Sequence, residues 1–503
     1  MVLLDGISLT LDDLQRIAVD RAPVGLAPAA ITRVTAARDV VDAHAKRPEP
    51  VYGINTGFGA LAEVAIAPDQ LAALQVNLVR SHAAGVGEPL SVTEVRAVMA
   101  LRANVLARGC SGIRLSTLEA LLALLNAGVH PRVPSRGSVG ASGDLAPLAH
   151  LALVLIGEGE VLGAPSTPAA QALKLSGLTP VTLGPKEGLA LINGTQASTG
   201  VLALAVMRAI RLSRAADIAA AMSIDALRAS TRPFDARIHD ARPVPGQLAS
   251  AANLRALLEG SALNASHAHC GKVQDAYALR CTPQVHGSAR EAIAFAHRLA
   301  SVESNSATDN PMVFAEAGDI VSGGNFHGAP VALAADTLAL GLAQLATISE
   351  RRTDRMMTPH ESGLPAFLIR DSGLNSGLMM AHVTAAALTA EIKILASPAC
   401  IDTIPTSAGR EDHVSMSMGA ALKAGRIAAL TLQVLAIEVL AAAQALDLLA
   451  PLTTAAPLQA AHAAVRAIVA PLTVDRSPAP DIEALSTLIS DGGFERACTQ
   501  HLA

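Results

Sequence analysis

The sequence predicts a mainly α-helical fold, in which a long-helix bundle follows a mixed, loop-rich N-terminal domain. Of the 503 residues, 51% are hydrophobic and only 16% are charged, as in an extensively buried protein. Alanine and leucine dominate four runs with helical spacing, and no strand signals lie between them. These runs predict the bundle and cover residues 201–227, 330–351, 378–396 and 420–449.

The character of the chain changes near residue 200. Residues 1–200 mix short helices with glycine-rich loops, and we expect them to form one domain. Residues 201–503 are expected to form the central and C-terminal helical bundle. Loops rich in glycine and proline interrupt the bundle at residues 309–328 and 404–410.

One helix of the N-terminal domain has clear end signals. Ser116-Thr117-Leu118-Glu119 is typical of a capping box, and Gly128 is a stop signal about three turns later. The following residues, 129–143, contain two prolines and three glycines, which argues against a regular helix. This second segment is therefore predicted to be a loop.

Composition and charge pattern exclude several classes of protein. The net charge is −5, and lysines and arginines are scattered in runs no longer than two without alternating aromatics, so no nucleic-acid partner is expected. The N-terminus lacks the pattern of a signal peptide. The apolar run at residues 427–449 contains Gln433, Glu438, Gln444 and Asp447 and is predicted to be a buried helix, with no membrane partner. Five irregularly spaced cysteines indicate reduced thiols in a cytoplasmic protein.

A possible metal site lies in Ser266-His267-Ala268-His269-Cys270, with Cys281 and His286 nearby. The spacing fits no closed set of four zinc ligands, and Lys272 stands within the group. We therefore predict no metal.

The aromatic residues are few, and their positions are informative. Tryptophan is absent and only two tyrosines occur. Tyr52 lies in Val51-Tyr52-Gly53-Ile54-Asn55-Thr56-Gly57-Phe58-Gly59, and Tyr277 lies in Gln274-Asp275-Ala276-Tyr277-Ala278-Leu279-Arg280. Both motifs are rich in polar residues, so each tyrosine is predicted to have a chemical role.

The segment Gly140-Ala141-Ser142-Gly143-Asp144 fits neither of two common motifs. A nucleophile elbow needs glycine where Asp144 stands, and a phosphate-binding loop needs a lysine. A plain turn remains one interpretation. The other is backbone cyclisation, because glycine tolerates the tight geometry in which the Gly143 nitrogen attacks the Ala141 carbonyl. Loss of that oxygen and of the Ser142 hydroxyl as two waters would leave a strong electrophile.

Taken together, these motifs resemble those of the aromatic amino acid ammonia-lyase family, whose 4-methylidene-imidazol-5-one (MIO) group arises from Ala-Ser-Gly. The resemblance extends from Tyr52 to about Leu449. It implies a mainly helical homotetramer with active sites shared between subunits. It also implies that MIO forms from Ala141, Ser142 and Gly143 without an external cofactor. The matching motifs are residues 52–59, 137–150, 191–196, 274–287, 308–311, 322–327 and 411–416.

The resemblance also implies the roles of individual residues. Tyr52 would be the base that removes the β-proton, which requires surroundings that lower the pKa of its phenol from about 10. Arg280 would bind the substrate carboxylate through two hydrogen bonds. Asn193 would donate to that carboxylate or to the imidazolone oxygen. The structural alternatives are a buried tyrosine, an ion-paired arginine and a turn asparagine.

Three further residues belong to the implied catalytic and binding set. Gln274 and Tyr277 are three positions apart, so on a helix they would face one cavity. Phe326 would pack beside the MIO ring, although ordinary core packing is the alternative.

Two residues resemble the histidine-specific branch of the family, His82 in Ser81-His82-Ala83 and Glu411 in Glu411-Asp412-His413. A carboxylate can accept a hydrogen bond from an imidazole, whereas a phenyl ring offers no donor. These features imply conversion of L-histidine to urocanate. The preceding Gly409-Arg410 departs from the common Asn-Gln, and Arg410 would weaken this effect by pairing with Glu411.

Three alternatives remain open from the sequence. A lyase for tyrosine or phenylalanine and an aminomutase belong to the same family. A non-catalytic homologue is the third, although Tyr52, Ser142 and Arg280 are all retained.

Overall fold

The computed structural model describes residues 1–47, 49–57, 59, 63–163, 165–268, 270–271, 273–498, 500 and 502. The chain forms two compact units, each built from separate segments. The first unit comprises Met1–Met207, His297–Asp336 and Pro398–Leu422, and the second comprises Arg208–Ala296, Thr337–Ser397 and Lys423–Ala503. The predicted domain boundary at residue 200 divides the chain into two continuous stretches, whereas these units each combine separate stretches. The predicted boundary stays a prediction.

The fold is mainly α-helical, which confirms the predicted class. Among the described residues, eight helices lie wholly in the first unit: α1 (Leu11–Ala18), α2 (Pro28–His44), α3 (Leu71–His82), α4 (Val92–Ala107), α5 (Leu115–Asn126), α6 (Leu145–Leu155), α7 (Ala169–Leu175) and α8 (Glu187–Ile192). Four helices contain residues of both units: α9 (Gln196–Ala226), α14 (Thr282–Glu303), α15 (Ala329–Met357) and α18 (Ser417–Leu448).

The other helices belong to the second unit. They are α10 (Ala236–Asp240), α11 (Pro245–Leu258), α12 (Ala262–Ala265), α13 (Tyr277–Arg280), α16 (Pro359–Ser362), α17 (Met379–Leu395), α19 (Ala456–Arg466), α20 (Ala479–Ser490) and α21 (Gly493–Arg496). The four predicted long helices are confirmed as α9, α15, α17 and α18. Helix α14 was not predicted, because its sequence mixes alanine with many polar residues.

The strands of the described residues are short and form four two-stranded sheets. Strands β1 and β2 run parallel, with Val2 opposite Val24, and the other pairs are antiparallel. The strands are β1 (Val2–Leu4), β2 (Val24–Leu26), β3 (Val86–Pro89), β4 (Pro134–Arg136), β5 (Glu160–Val161), β6 (Thr167–Pro168), β7 (Met312–Phe314) and β8 (Asp319–Val321). The last pair makes a hairpin within the predicted loop at residues 309–328.

The predicted helix near Ser116 exists, but its predicted cap is wrong. Helix α5 begins at Leu115 after Arg114, which makes no side-chain capping bond. Gly128 follows the helix with a φ of +71°, as a stop signal requires. A capping box occurs instead at the start of α4, where Ser91 accepts from the Glu94 amide and Glu94 accepts from the Ser91 amide.

Three helices that pack on one another position the site. Helices α3, α6 and α8 are in mutual contact in the first unit. Helix α3 ends at His82, α6 begins directly after Asp144, and α8 ends directly before Asn193. Their packing therefore brings three of the motifs singled out in the sequence into one region.

Helices α15 and α18 are long and apolar enough to cross a membrane by length and composition. In each, the apolar window is mostly buried inside the protein, by 67% and 78% respectively. They are therefore core helices, as predicted for the run at residues 427–449.

Candidate active site

The segment Ala141-Ser142-Gly143 lies in a loop between β4 and α6, as predicted. Ala141 and Gly143 are buried, and Ser142 is half-buried. Gly143 has a φ of +71°, and a Cβ there would lie 2.2 Å from the carbonyl oxygen of Gly194. Only glycine satisfies both the left-handed backbone and this close backbone contact.

Asp144 fastens the end of this loop. Its wholly buried carboxylate accepts hydrogen bonds from the Ser138 hydroxyl at 2.8 Å and from the Ser198 amide at 2.7 Å and hydroxyl at 2.8 Å. Its own amide donates to the Gly194 oxygen at 2.7 Å. Burial raises the pKa of Asp144, and the hydrogen bonds from Ser198 and Ser138 oppose that rise.

Gly140 fastens the other end. Its carbonyl oxygen accepts from the Ser415 hydroxyl at 2.9 Å and from the Gly328 amide at 3.2 Å. A Cβ on Gly140 would lie 2.2 Å from the Ser415 hydroxyl oxygen. The Gly140 end of the loop is therefore held by two segments, the one that carries Phe326 and the one that carries Glu411.

Asn193 reaches the middle of the tripeptide. Its side-chain amide donates to the Ser142 carbonyl oxygen at 3.2 Å. Among the described residues its own Oδ1 is buried and has no hydrogen-bond partner. Ser142 supplies the oxygen of the predicted imidazolone, so the geometry favours the second of the two predicted roles.

Glu411 lies against the Ser142 side chain. The Ser142 hydroxyl donates to Glu411 Oε1 at 3.0 Å, and the Thr406 hydroxyl donates to Oε2. Arg410 donates instead to Glu63 at 3.5 Å, in a solvent-exposed pair. The expectation that Arg410 pairs with Glu411 is therefore wrong, and the two bonds to the Glu411 carboxylate come from hydroxyls.

The Tyr52 loop is anchored by the core of the first unit. Ile54 is fully buried against Ala37, Val41 and Val313. The Gly59 amide donates to the Tyr52 hydroxyl at 3.4 Å. Phe58, in the same motif, lies outside the described residues.

The Tyr52 phenol has a raised pKa. Burial is the main cause, and the negative charge of Glu411 adds to it, while the Gly59 amide and the Arg410 charge act in the opposite direction. The prediction that the surroundings lower this pKa is therefore wrong. Desolvation of the phenolate outweighs the donors that face it.

His82 ends α3 with a defined orientation. Its Nδ1 lies 2.9 Å from the Leu78 carbonyl oxygen, which can only accept, so Nδ1 carries the proton. Burial lowers the pKa of His82, and the Leu78 bond and the Glu411 charge oppose this. The ring is therefore neutral at pH 7, and Nε2 is its acceptor.

Phe326 lies in the turn that follows β8 and is half-buried. Two residues later, the Gly328 amide makes the bond to Gly140 described above. A Cβ on Gly328 would lie 2.4 Å from the Ser417 hydroxyl oxygen, so the backbone passes closely behind the loop.

Gln274, Tyr277 and Arg280 belong to the second unit. Helix α13 begins at Tyr277, and Gln274 precedes it in an irregular, exposed segment. The prediction that Gln274 and Tyr277 share a helix face is therefore wrong. Tyr277 is 71% exposed, and the Arg280 guanidinium lies 4.6 Å from the centre of its ring.

The predicted absence of a metal remains a prediction. His269 and Lys272, two residues of the group considered above, lie outside the described residues. Within the part of the chain that is described, no three histidine, cysteine or acidic side chains form a group that could hold a metal ion.

A family model described as aromatic amino acid lyase matches residues 9–467 of the chain. The chain belongs to this family. Family membership makes the protein an enzyme, a carbon–nitrogen lyase.

Relatives of known function align over almost the whole chain. A histidine ammonia-lyase of Anaeromyxobacter sp. (strain K) is 57% identical over 504 residues, which cover 98% of this chain and 99% of the relative. The crystal structure of histidine ammonia-lyase from Trypanosoma cruzi is 45% identical, with a TM-score of 0.93 over 100% of this chain and 96% of that one. A tyrosine aminomutase from Streptomyces globisporus is 40% identical, with a TM-score of 0.94 over 100% and 99%.

The residues of this lyase fit the MIO group that its family carries. Gly143 and Gly140 leave no space for a Cβ, as a cyclised backbone in a tight pocket requires. Asn193 already donates to the oxygen that the ring would retain.

Sequence reasoning missed two residues at or behind the loop: Asp144, which bonds to Ser138 and Ser198, and Arg102, which donates to the Asn193 carbonyl oxygen at 2.5 Å. Asp144 has a signal, since a lone acid between a glycine and an apolar helix is either a cap or a buried acceptor. Arg102 has a weaker one, a cation within a run of alanine, leucine and valine.

Proposed function

We propose that this lyase eliminates ammonia from L-histidine to give trans-urocanate, the first step of histidine degradation. The observation that carries the proposal is the Glu411 carboxylate, 3.0 Å from the Ser142 hydroxyl at the centre of the tripeptide. A carboxylate there accepts from an imidazole N–H, and it offers nothing to a phenyl ring. The identity to histidine ammonia-lyases supports the same substrate.

In this proposal His82 assists in recognising the imidazole. Its bond to Leu78 leaves Nε2 as an acceptor. The substrate imidazole has a donor and an acceptor nitrogen, so Glu411 or His82 takes the donor. Since both lie in the first unit, the part of the site that selects the side chain is built within one chain.

We assign the proton and carboxylate steps to other residues. Tyr52, as phenolate, removes the β-proton, and Asn193 holds the oxygen of Ser142. Arg280 binds the substrate carboxylate in a two-pronged pair, aided by Gln274. MIO, formed from Ala141, Ser142 and Gly143, supplies an electrophile for the amino group.

The remaining assignments concern surroundings and assembly. Tyr277 contacts the reacting end of the substrate, and Phe326 packs beside the ring. We propose a cytoplasmic homotetramer whose active sites take residues from more than one subunit. The 71% exposure of Tyr277 in the isolated chain supports such sharing, because a residue with a chemical role is expected to be covered.

A product assay tests the proposal. The protein and its Ser142→Ala variant are incubated with L-histidine, L-tyrosine and L-phenylalanine, and the acrylic acids and β-amino acids are separated by chromatography. We expect urocanate from L-histidine with the parent only. Coumarate or cinnamate alone would overturn the substrate and leave the reaction type standing.

The aminomutase similarity gives a second candidate function, the return of ammonia to the β-carbon. Formation of a β-amino acid from L-tyrosine, at a rate above that of urocanate from L-histidine, would favour it. We expect no such product, because the Glu411 carboxylate gives no advantage to a phenol ring over an imidazole.

A further inference from the structure

Arg102 occupies an unusual place for a charged side chain. It lies in the middle of α4 and is completely buried. Its guanidinium donates to the carbonyl oxygens of Asn193 at 2.5 Å and Ala190 at 2.6 Å, and to Gln196 Oε1 at 2.5 Å. Burial lowers its pKa to about 10, and the charge of Asp309 opposes this. Burying a cation is costly unless its hydrogen bonds are satisfied, so these three oxygens define what it does.

The guanidinium stands directly behind the peptide that touches the tripeptide. A Cβ on Gly194 would lie 2.8 Å from Arg102 Nη1 and 2.7 Å from the Thr308 oxygen. The Gly194 carbonyl oxygen also lies close to Gly143, where a Cβ would meet it at 2.2 Å, and the two residues form a β-bridge. Gly194 is thus adjacent to both Arg102 and Gly143.

The same cluster contains Gln196 and Thr308, two motif residues to which the proposed reaction gives no role. The Gln196 amide donates to the Thr308 hydroxyl at 2.6 Å, which orients Gln196 Oε1 toward Arg102. Beside them Lys186 and Asp309 form a wholly buried ion pair at 3.1 Å. The Thr308-Asp309 motif therefore supports the position of Arg102 rather than binding the substrate.

We propose that Arg102 is a positioning residue for formation of the MIO ring, holding the Asn193–Gly194 peptide against Gly143 and directing Asn193 onto the Ser142 oxygen. This inference rests on the part of the proposed function that concerns MIO, and it is independent of the substrate.

Ring formation makes one bond and releases two waters. The Gly143 nitrogen bonds to the Ala141 carbonyl carbon, and the Ala141 oxygen leaves as water with the amide protons of Gly143 and Ser142. The second water takes the Ser142 hydroxyl and the Ser142 α-proton. No oxidant is needed. The reacting atoms must be held within about 3–3.5 Å of each other, so a rigid backing for Gly143 accelerates the closure.

Arg96 provides a matched control. It lies six positions earlier on the same helix, is 3% exposed, and also donates to backbone carbonyls, those of Ile17 and Leu125, each at 3.0 Å. Neither carbonyl belongs to the site. Replacing either arginine by lysine leaves buried oxygens without donors, so both variants suffer a similar structural loss.

The experiment follows ring formation itself. The parent, Arg102→Lys, Arg96→Lys and Thr308→Val are expressed in a short pulse, and intact mass is recorded over time for the loss of two waters. Near-ultraviolet absorbance of the purified chains gives a second readout. Its protein background is low because the chain has no tryptophan and two tyrosines. Circular dichroism and thermal melting establish that each variant is folded.

We expect ring formation to be about tenfold slower in Arg102→Lys, which corresponds to loss of one charged hydrogen bond. Arg96→Lys should form the ring at the parental rate despite a similar loss of thermal stability. Thr308→Val should fall between them, because it frees Gln196 but keeps the guanidinium. If Arg102→Lys does not fold, Thr308→Val decides the matter against Arg96→Lys.

Parental ring formation in both folded Arg102→Lys and Thr308→Val, or equal slowing in Arg96→Lys, would overturn the inference. A parent that loses two waters but makes no urocanate would instead refute the substrate and leave the inference intact. A parent without the mass loss would refute the MIO proposal, and the role of Arg102 with it.

Discussion

Two segments of this lyase differ sharply in how much of their geometry is already built. Residues 140–144 lie in a buried loop whose polar groups are bonded to Ser198, Gly194, Asn193 and Ser415. Gly271 and residues 273–280 are exposed or half-buried apart from the buried Leu279, with a single helical turn at their end. Both were assigned to the active site from the sequence.

The difference follows from the chemistry assigned to each segment. A backbone cyclisation has no external catalyst, so the chain must hold its own atoms in place before reaction. A carboxylate-binding arginine needs only to meet the substrate, and its order can come from assembly. We therefore expect variants of the first segment to change ring formation and variants of the second to change only substrate binding.

The largest effect is expected from Gly143→Ala. The new Cβ would meet the Gly194 carbonyl at 2.2 Å, and the φ of +71° adds strain. Ring formation and activity should both be abolished, as measured by intact mass and urocanate production. Gly271→Ala is the control in the second segment, since no atom of the described residues lies within 4 Å of its Cβ position. If Gly143→Ala and Gly271→Ala had the same effect on ring formation and activity, the proposed difference between the two segments would be refuted.

Tyr52→Phe should lower kcat by about a thousandfold, as expected on loss of a general base. Ring formation should be unchanged, because the proton that Tyr52 is proposed to remove belongs to the substrate and not to residues 141–143. The proposed role of Tyr52 requires the phenolate, and burial raises the pKa of the phenol. The phenolate fraction therefore grows with pH, and kcat/KM should rise from about pH 7 to about pH 9 in the parent. A flat profile in that range would contradict the assignment.

Arg280→Lys sharpens the comparison from the other segment. Lysine cannot form the two-pronged pair with a carboxylate, so KM for L-histidine should rise about tenfold. The mass loss of two waters should remain complete. Intact mass measures ring formation directly. Slower ring formation in this variant would show that the two segments do not act independently.

The sequence predicted the helices whose apolar pattern is regular and failed where tertiary contacts decide. Helices α9, α15, α17 and α18 were found because alanine and leucine repeat at helical spacing. The capping box was misplaced because Ser116 and Ser91 have the same local pattern, and only the backbone separates them. Gln274 was given a helix that begins three residues later, at Tyr277.

The site residues that lie in short sequence motifs could be predicted from the sequence. Ser142, Asn193 and Glu411 were named from the sequence, and the structure places them in hydrogen-bond contact. Arg102 was not, because no local pattern distinguishes it from Arg96 on the same helix. What separates these two arginines is which distant carbonyls they reach, and that depends on the packing of α4.

The smallest effect is expected from Arg410→Gln. At this position the sequence differs from the glutamine that is common in the histidine-specific branch. Arg410 pairs with Glu63 at the surface, and such a pair contributes about 0–1 kcal/mol to stability, so the melting temperature should not change. The positive charge of Arg410 lowers the pKa of Tyr52 against the larger effect of burial. Its removal should raise that pKa further and move the alkaline rise of kcat/KM to higher pH.

Glu63→Gln is the control for this last variant, because it breaks the same pair but keeps the positive charge. Its rise of kcat/KM should stay at the parental pH or move to lower pH, whereas that of Arg410→Gln should move to higher pH. A shift in the same direction for both would mean that the pair acts by tethering residues 59 and 407, whose backbone and side chain already lie close together. The direction of these two shifts therefore decides whether the departure at Arg410 tunes the base electrostatically or only fastens its loop.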